Sequence, residues 1–237
     1  NINEAVGSTD MSALADTVRE QGCDLGIAYD GDGDRVLFTD EEGNKVDGDQ
    51  LLYVITMHRL RTGCADAGVV GTLMSNLGLE LALREQGLLF ERSRVGDRYA
   101  RELMELQGWN LGGESSGHII CSDVTTTGDG IVSSLQVLRA LVDGGRSLRD
   151  ELAAVPLFPQ TMINVRIDHG RDALASPVVL EAVAAVEREL GDSGRVLLRP
   201  SGTEPVIRVM VEGREAGQVE RLCRSLATRV EGALNAA

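Results

Sequence analysis

The chain has 237 residues, enough for one or two domains, and 43% of them are apolar although only 3% are aromatic. Aliphatic side chains must therefore supply most of its core. The formal net charge of -14 repels the phosphates of nucleic acids and of anionic membranes, so neither is expected as a partner. No apolar run approaches the ~18 residues of a membrane span, and the first residues lack the basic-then-apolar pattern of a signal peptide.

Cysteine usage and the first residue give two further expectations. Cys23, Cys64, Cys121 and Cys223 are far apart and form no CxxC pair, so neither a zinc site nor a disulfide framework is predicted. A reducing cytoplasm is the expected location. The chain begins at Asn1 within polar, loop-like sequence, which suggests a piece of a longer protein, although processing would give the same start.

The N-terminal region predicts one helix followed by two strands. Apolar residues recur on one helical face over residues 11–21 until Gly22 stops the pattern. Short apolar runs at 24–29 and 36–38 predict strands. The Gly- and Asp-rich segment 30–35 therefore joins two strands.

From Asp49 onward the predicted helices and strands alternate, which indicates an α/β layer with a largely parallel sheet. The predicted order is helix 51–60, strand 69–72, a helix from Ser75 or Asn76, strand 88–93, helix 97–106, a Gly-rich loop flanked by strands, and helices near 131–141 and 148–154.

A boundary is predicted near Pro156 and Pro159, because the pattern changes there to β-α-β-β-α, typical of a small α+β unit. Its first helix should begin with Ser176 at the N-cap and Pro177 at the first helical position, where a missing N–H costs nothing. The predicted strands are 161–167, 195–198 and 206–211.

The first motif with evident chemistry is the acidic segment between the two N-terminal strands. Asp30, Asp32 and Asp34 alternate with Gly31 and Gly33. Carboxylate oxygens are the ligands that Mg²⁺ prefers, and glycines let the backbone turn tightly enough for them to converge. The pattern favours a metal site over the simpler alternative, a solvated acidic turn.

Two other kinds of site have aspartates in a similar pattern. Glu41 falls at position 12 of an EF-hand loop beginning at Asp30, but position 6, which needs glycine, is Arg35. In a haloacid-dehalogenase-type phosphatase, Asp30 would be the nucleophile and Asp32 the acid. That alternative explains only this loop, and it usually needs Thr or Val where Asp34 stands.

The second motif is the segment GGESSGH at residues 112–118, which is rich in short polar side chains. A carboxylate, a hydroxyl and an imidazole together both accept and donate hydrogen bonds, as sugar hydroxyls require. His118 can also carry a proton near neutral pH. Taken alone, the segment is equally compatible with a turn that contains a capping serine.

The third motif is the segment RPSGTEP at residues 199–205, followed by Arg208. An arginine fork, two hydroxyls and a glycine that exposes backbone N–H groups suit a phosphate. The alternative is a Pro-rich hairpin with an exposed arginine.

Together and in this order, DGDGDR, GESSGH and RPSGTEP resemble the metal, sugar and phosphate loops of the α-D-phosphohexomutase family. The stretches VDGDQ, GTLMSN, VGDRY and TTTGDG extend the resemblance over nearly the whole chain and are most similar to bacterial members that act on glucosamine phosphates. The resemblance implies α/β domains followed by a small C-terminal α+β domain, TATA-box-binding-protein-like in fold. It assigns 1–45 to the end of family domain 2, 46–158 to domain 3 and 159–237 to domain 4.

The resemblance also implies residue roles. Asp30, Asp32 and Asp34 would bind one Mg²⁺, while Arg35 would contact an enzyme phosphoserine and, with His118, take part in catalysis. A helix start capped by Asp97 explains residues 96–98 almost as well as sugar binding does. The residues expected to bind the sugar are Gly96, Asp97, Arg98, Glu114, Ser116 and His118, and those expected to bind its phosphate are Arg199, Ser201, Gly202, Thr203 and Arg208.

In the family reaction a phosphoryl group passes from phosphoserine to glucosamine 6-phosphate, and one is taken back from the bisphosphate to leave glucosamine 1-phosphate. A hexosamine or hexose 1,6-bisphosphate is thus the expected intermediate and activator, and a homodimer of the full-length enzyme is compatible with the resemblance. The family's nucleophile lies in a Ser-His-Asn-Pro-like loop that does not occur in this chain, so the chain alone should bind but not turn over. The alternatives are a phosphosugar- or metal-binding module without catalysis and a phosphohexomutase for glucose or mannose phosphates.

Overall fold

A computed structural model describes residues 1–167, 173–201 and 204–235. The chain divides into two compact units, Asn1–Pro156 and Leu157–Ala237. Among the described helices, none is long and apolar enough to cross a membrane.

The first unit opens with a helix and an antiparallel sheet. The helix ends where the sequence predicts, because Gly22 adopts the left-handed conformation with φ 64°. The three strands pair in the order β1-β2-β3, and every residue of β2 is buried. After a short 3-10 helix at Gly7–Thr9, the elements are α1 (Ser12–Gln21), β1 (Gly26–Tyr29), β2 (Val36–Thr39) and β3 (Lys45–Val46).

The rest of the first unit is the predicted α/β layer. Its strands lie in the order β5-β4-β6-β7, with β5 and β6 parallel to β4 and β7 antiparallel to β6, which confirms the largely parallel sheet. The elements are α2 (Gly48–Arg61), β4 (Gly68–Thr72), α3 (Leu77–Glu85), β5 (Leu89–Ser93), α4 (Asp97–Gln107), β6 (Leu111–Gly113), β7 (Ile119–Cys121), α5 (Gly130–Gly144) and α6 (Leu148–Leu152).

Polar side chains fix where several of these helices begin. The Asp47 carboxylate accepts from the Gln50 amide at the start of α2, and the Gln50 side chain accepts in return from the Asp47 amide. Asn76 caps α3 and is one of the two starting residues that the sequence leaves open. Helix α4 begins at Asp97, as predicted, but the alternative role of Asp97 as its cap is wrong. Gly96 is the N-cap, and its φ of 126° is a conformation that favours glycine.

The second unit has the predicted β-α-β-β-α order. Its strands pair antiparallel in the order β8-β10-β9, and the side chains of Ile207, Val209 and Val211 join the apolar core that both helices share. Ser176 is the N-cap of α7 and Pro177 its first residue, although the serine side chain makes no capping hydrogen bond. The elements are β8 (Gln160–Arg166), α7 (Pro177–Leu190), β9 (Gly194–Pro200), β10 (Val206–Gly213) and α8 (Ala216–Asn235), with short 3-10 helices at Ala173–Ala175 and Gly191–Ser193.

Candidate functional site

The acidic segment forms a tight loop between β1 and β2, in which three carboxylates converge. One ligand oxygen from each of Asp30, Asp32 and Asp34 lies within 4.8 Å of the others. Gly33 has φ 75°, a left-handed conformation that glycine adopts at little cost. The amide of Arg35 donates to Asp30 Oδ1 at 3.1 Å and closes the loop.

The charges in this loop are unevenly balanced. Arg35 Nε lies 3.8 Å from Asp30 Oδ2 and 3.9 Å from Asp34 Oδ1. Burial raises the pKa of Asp34, and the neighbouring Asp30 raises it further, while the contact with His118 opposes both. Burial alone would raise the pKa of Asp30, but the hydrogen bond from the Arg35 amide, the contact with Asp34 and the Arg35 charge together lower it. Asp30 is therefore the more readily ionised member of this pair.

The loop fits a divalent cation such as Mg²⁺. Its donors are three carboxylates, the oxygen ligands that hard cations take. Asp34 Oδ1 is buried without a hydrogen-bond partner among the described residues, while Asp34 Oδ2 lies 3.0 Å from His118 Nδ1. One oxygen of Asp34 is thus held by the histidine, and the other remains available to a cation.

The polar segment 112–118 forms the turn between β6 and β7. The Glu114 amide donates to the His118 carbonyl at 3.0 Å and fixes the turn. Both Glu114 oxygens accept hydrogen bonds, Oε1 from the Gly96 amide at 2.8 Å and Oε2 from the Ser116 hydroxyl at 3.2 Å. The Glu114 carboxylate therefore ties the residue before α4 to the turn between β6 and β7.

The acidic loop and the polar turn meet directly. His118 Nδ1 faces Asp34 Oδ2, and the imidazole side chain is only 7% exposed. The Val36 amide also donates to the Gly117 carbonyl at 3.1 Å. The structure thus brings into one site the residues that sequence reasoning places in two loops.

The start of α4 borders this site, but the Arg98 side chain is engaged elsewhere. Arg98 is 80% exposed, and its Nε donates to Glu102 one turn later at 2.8 Å. A cavity of about 380 Å³ is lined by Asp97 and Arg98 on one side and by His118 and Gly128 on another. Gly128 is a further residue of this site. The sequence shows it only as part of the stretch TTTGDG and gives no sign that it lies beside His118.

In the second unit, two arginines of the predicted phosphate segment lie on neighbouring strands. Arg199 belongs to β9, not to the loop, and is directly opposite Arg208 on β10. Arg208 Nη2 lies 3.3 Å from Ser201 Oγ and 3.4 Å from Glu204 Oε2, and its Nε is buried without a hydrogen-bond partner in the described part of the unit. Like charges in directly opposite positions repel, which a bound anion would relieve. Gly202 and Thr203, also predicted to bind phosphate, lie outside the described residues.

Two family models match the chain. The model of phosphoglucomutase/phosphomannomutase alpha/beta/alpha domain III matches residues 47–158, and that of the C-terminal domain matches residues 162–229. The two matches together cover most of the chain, which therefore belongs to the phosphoglucomutase/phosphomannomutase family of α-D-phosphohexomutases.

Curated relatives indicate which members of the family the chain resembles. The chain is 54% identical over 235 residues to phosphoglucosamine mutase of Cellvibrio japonicus, with 99% of this chain and 53% of the relative covered. It is also 54% identical over 234 residues to phosphoglucosamine mutase of Enterobacter sp., with 98% and 53% covered. The chain spans about half the length of the curated relatives it matches.

Solved structures share the fold at low sequence identity. N-acetylphosphoglucosamine mutase of Aspergillus fumigatus, in complex with GlcNAc-6P and magnesium, matches with a TM-score of 0.74 at 21% identity, covering 92% of this chain and 52% of that one. A phosphoglucomutase/phosphomannomutase family protein of Burkholderia thailandensis matches with a TM-score of 0.72 at 17% identity, covering 95% and 50%. These similarities support the phosphohexomutase fold.

Proposed function

We propose that this chain is the metal-, sugar- and phosphate-binding part of a phosphoglucosamine mutase, which interconverts glucosamine 6-phosphate and glucosamine 1-phosphate through an enzyme phosphoserine and a bisphosphate. The observation that carries the proposal is the convergence of Asp30, Asp32 and Asp34 beside His118. The 54% identity to relatives of that name supports this substrate over glucose or mannose phosphates. The proposal includes a cytoplasmic location, which the four free cysteines favour, and a homodimer of the full-length enzyme.

In this proposal the three aspartates hold one Mg²⁺, and a bound Mg²⁺ neutralises negative charge on the phosphoryl group being transferred. Arg35, 48% exposed and held beside Asp30 and Asp34, contacts the phosphate of the phosphoserine. The Nδ1 of His118 is engaged by Asp34, which leaves Nε2 to exchange a proton with a sugar hydroxyl.

The remaining residues bind and orient the substrate. Glu114 and Ser116, with the backbone and side chains of residues 96–98, hold the sugar hydroxyls. Arg199, Arg208 and Ser201 hold the distal phosphate, together with Gly202 and Thr203. The phosphoserine belongs to the part of the full-length protein that this chain does not contain, and a hexosamine or hexose 1,6-bisphosphate serves as intermediate and activator.

The chain alone should not interconvert glucosamine phosphates, because its sequence contains no Ser-His-Asn-Pro-like nucleophile loop. A fusion to the part of the Cellvibrio japonicus relative that this chain does not match should do so once phosphorylated, as followed by phosphorus NMR of the two monophosphates. The control is the same fusion with Asp30, Asp32 and Asp34 replaced by asparagine, which should be inactive. If the isolated chain instead hydrolyses glucosamine 6-phosphate, and Asp30→Asn abolishes the hydrolysis, the chain is a phosphatase and the proposal is wrong.

Arg199→Lys and Arg208→Ala should each weaken binding of glucosamine 6-phosphate. Lysine keeps the charge of Arg199 but loses its two parallel hydrogen bonds, and alanine removes the charge of Arg208 altogether. Loss of a charge-assisted hydrogen bond costs about 1.5–3 kcal/mol, roughly one to two decades in Kd. Titration calorimetry on the fusion measures the change, while the Mg²⁺ affinity should stay the same.

The matched control for these variants is Arg224→Ala, which removes an exposed arginine of α8 that pairs with Glu220. It should bind the sugar phosphate as wild type does. If Arg199→Lys and Arg208→Ala also bind with wild-type affinity, the segment RPSGTEP is only a hairpin turn, and the phosphate site assigned to the second unit is wrong.

A further inference from the structure

Gly128 lies against the imidazole of His118, closer than any other residue type would allow. A Cβ added at Gly128 would lie 2.2 Å from His118 Nε2, 2.4 Å from Cε1 and 2.8 Å from Cδ2. These distances are far shorter than the ~3.5–4.0 Å at which non-bonded carbon atoms attract one another most strongly. Even alanine at position 128 would therefore overlap with the ring.

The backbone gives no other reason for glycine at this position. Gly33 and Gly117 have φ values of 75° and 93°, which disfavour other residues. Gly128 is not among the glycines with positive φ, so alanine could adopt its backbone conformation. What glycine provides at position 128 is the space that the imidazole occupies.

The ring also has little freedom to move away. The His118 side chain is 7% exposed, and its Nδ1 is 3.0 Å from Asp34 Oδ2. A carboxylate only accepts hydrogen bonds, so Nδ1 carries the proton and donates it. Displacing the Nε2 side of the ring would rotate or lift Nδ1 away from Asp34, because the imidazole is rigid.

We propose that Gly128 is a positioning residue for His118: the absent side chain lets the imidazole bind Asp34 through Nδ1 while His118 lines the cavity that residues 97 and 98 also line. Through that hydrogen bond Gly128 also orients Asp34 toward the cation. The inference rests on the proposed function, but its first test needs neither metal nor substrate. The role of Gly128 and the proposed function can therefore fail independently.

The first test is NMR of the histidine ring nitrogens. The chain has three histidines, at positions 58, 118 and 169, so the signals are few, and His118→Gln assigns those of His118. In wild type the His118 Nδ1–H should be a protected, hydrogen-bonded proton. Gly128→Ala should abolish that signature, and so should Asp34→Ala, which removes the acceptor. The matched control is Gly217→Ala, where an added Cβ meets nothing within 4 Å, and it should leave the signals unchanged.

The second test is Mg²⁺ affinity by titration calorimetry. Loss of an outer hydrogen bond to a metal ligand weakens metal binding by roughly 10- to 100-fold. Gly128→Ala should therefore raise the Kd for Mg²⁺ about tenfold, and Gly217→Ala should leave it unchanged. Wild-type ring signals together with a wild-type Kd in Gly128→Ala would overturn the proposal.

A third comparison keeps the proposal testable if Gly128→Ala folds poorly. Overpacking should lower the Tm of the first unit by roughly 3–10 °C. In a His118→Ala background the ring is absent, so adding Gly128→Ala should lower the Tm by much less. If the loss is the same in both backgrounds, Gly128 does not act through His118 and the proposal is wrong.

Discussion

Replacing Asp30, Asp32 and Asp34 together with asparagine should abolish Mg²⁺ binding to this chain. Three converging carboxylates provide most of the attraction for the cation, and neutral amides leave little of it. Wild type itself should bind weakly, because in the proposed enzyme a phosphoserine supplies a further ligand. Asp32→Asn alone should weaken binding in part. Titration calorimetry at low ionic strength measures each affinity.

The control for this experiment is Asp24→Asn, which removes an exposed carboxylate just before β1 and outside the loop. Its Mg²⁺ affinity should equal that of wild type. Without Mg²⁺ the triple variant should melt at or above the wild-type temperature, since it loses repulsion between neighbouring carboxylates. An unchanged Mg²⁺ affinity in a folded triple variant would refute the metal assignment.

Asp49→Asn should stabilise the first unit above neutral pH and remove part of its pH dependence. Asp49 is 1% exposed, and its Oδ2 accepts from the Asn76 amide at 2.8 Å. Burial, reinforced by the charge of Asp47, raises the pKa of Asp49 to about 7. Asparagine keeps an acceptor for the Asn76 amide and carries no charge to bury.

The direction of this pH dependence follows from the protons that the folded and the unfolded chain bind. The folded chain keeps the Asp49 proton up to its pKa of about 7, whereas the unfolded chain releases it near its ordinary pKa of 3.8. The contribution of the protonated Asp49 carboxyl to the free energy of unfolding is therefore fully present below about pH 4 and is lost as the pH rises to about 7. Each pH unit between costs at most about 1.4 kcal/mol, so the variant should gain a few kcal/mol over wild type at pH 8.

Urea unfolding followed by tryptophan fluorescence provides the measurement. Trp109 is the single tryptophan and lies 7% exposed in the first unit, so it reports on the unit that contains Asp49. The difference in free energy of unfolding between Asp49→Asn and wild type should grow from pH 4.5 to pH 8. The Asp24→Asn control should show no such trend, and a pH-independent difference for Asp49→Asn would contradict the assignment.

Local sequence patterns predict the helices and strands well, because these elements depend mainly on residues that are neighbours along the chain. The strands on either side of residues 30–35 follow from short apolar runs, and the end of α1 follows from Gly22. The predictions that fail concern the ends of elements, where two local preferences compete. Asp97 is a good capping residue, but the positive φ at the start of α4 gives the N-cap to Gly96. The sequence predicts that the strand ends at residue 198, but pairing with β10 extends β9 through Pro200 and places Arg199 in the strand.

Contacts between distant segments lie beyond such patterns. Asp34 and His118 are 84 residues apart, and only the packing of two hairpins brings them together. The sequence gives no sign that Asp49 is buried, because α2 is buried around nearly its whole circumference and its polar residues therefore mark no exposed face. The closeness of Gly128 to an imidazole also depends entirely on the tertiary fold.

The apolar core of the first unit limits how this protein can be divided in the laboratory. Val36, Phe38 and Val46 pack in one cluster with Leu51 and other residues of the α/β layer. A gene fragment that starts at residue 47, where the first family match begins, would encode that layer without the β1–β3 sheet. Its product would expose the aliphatic surface that Phe38 covers and should aggregate on expression. The first 46 residues cannot be exchanged between relatives as an independent module unless the side chains they cover are exchanged with them.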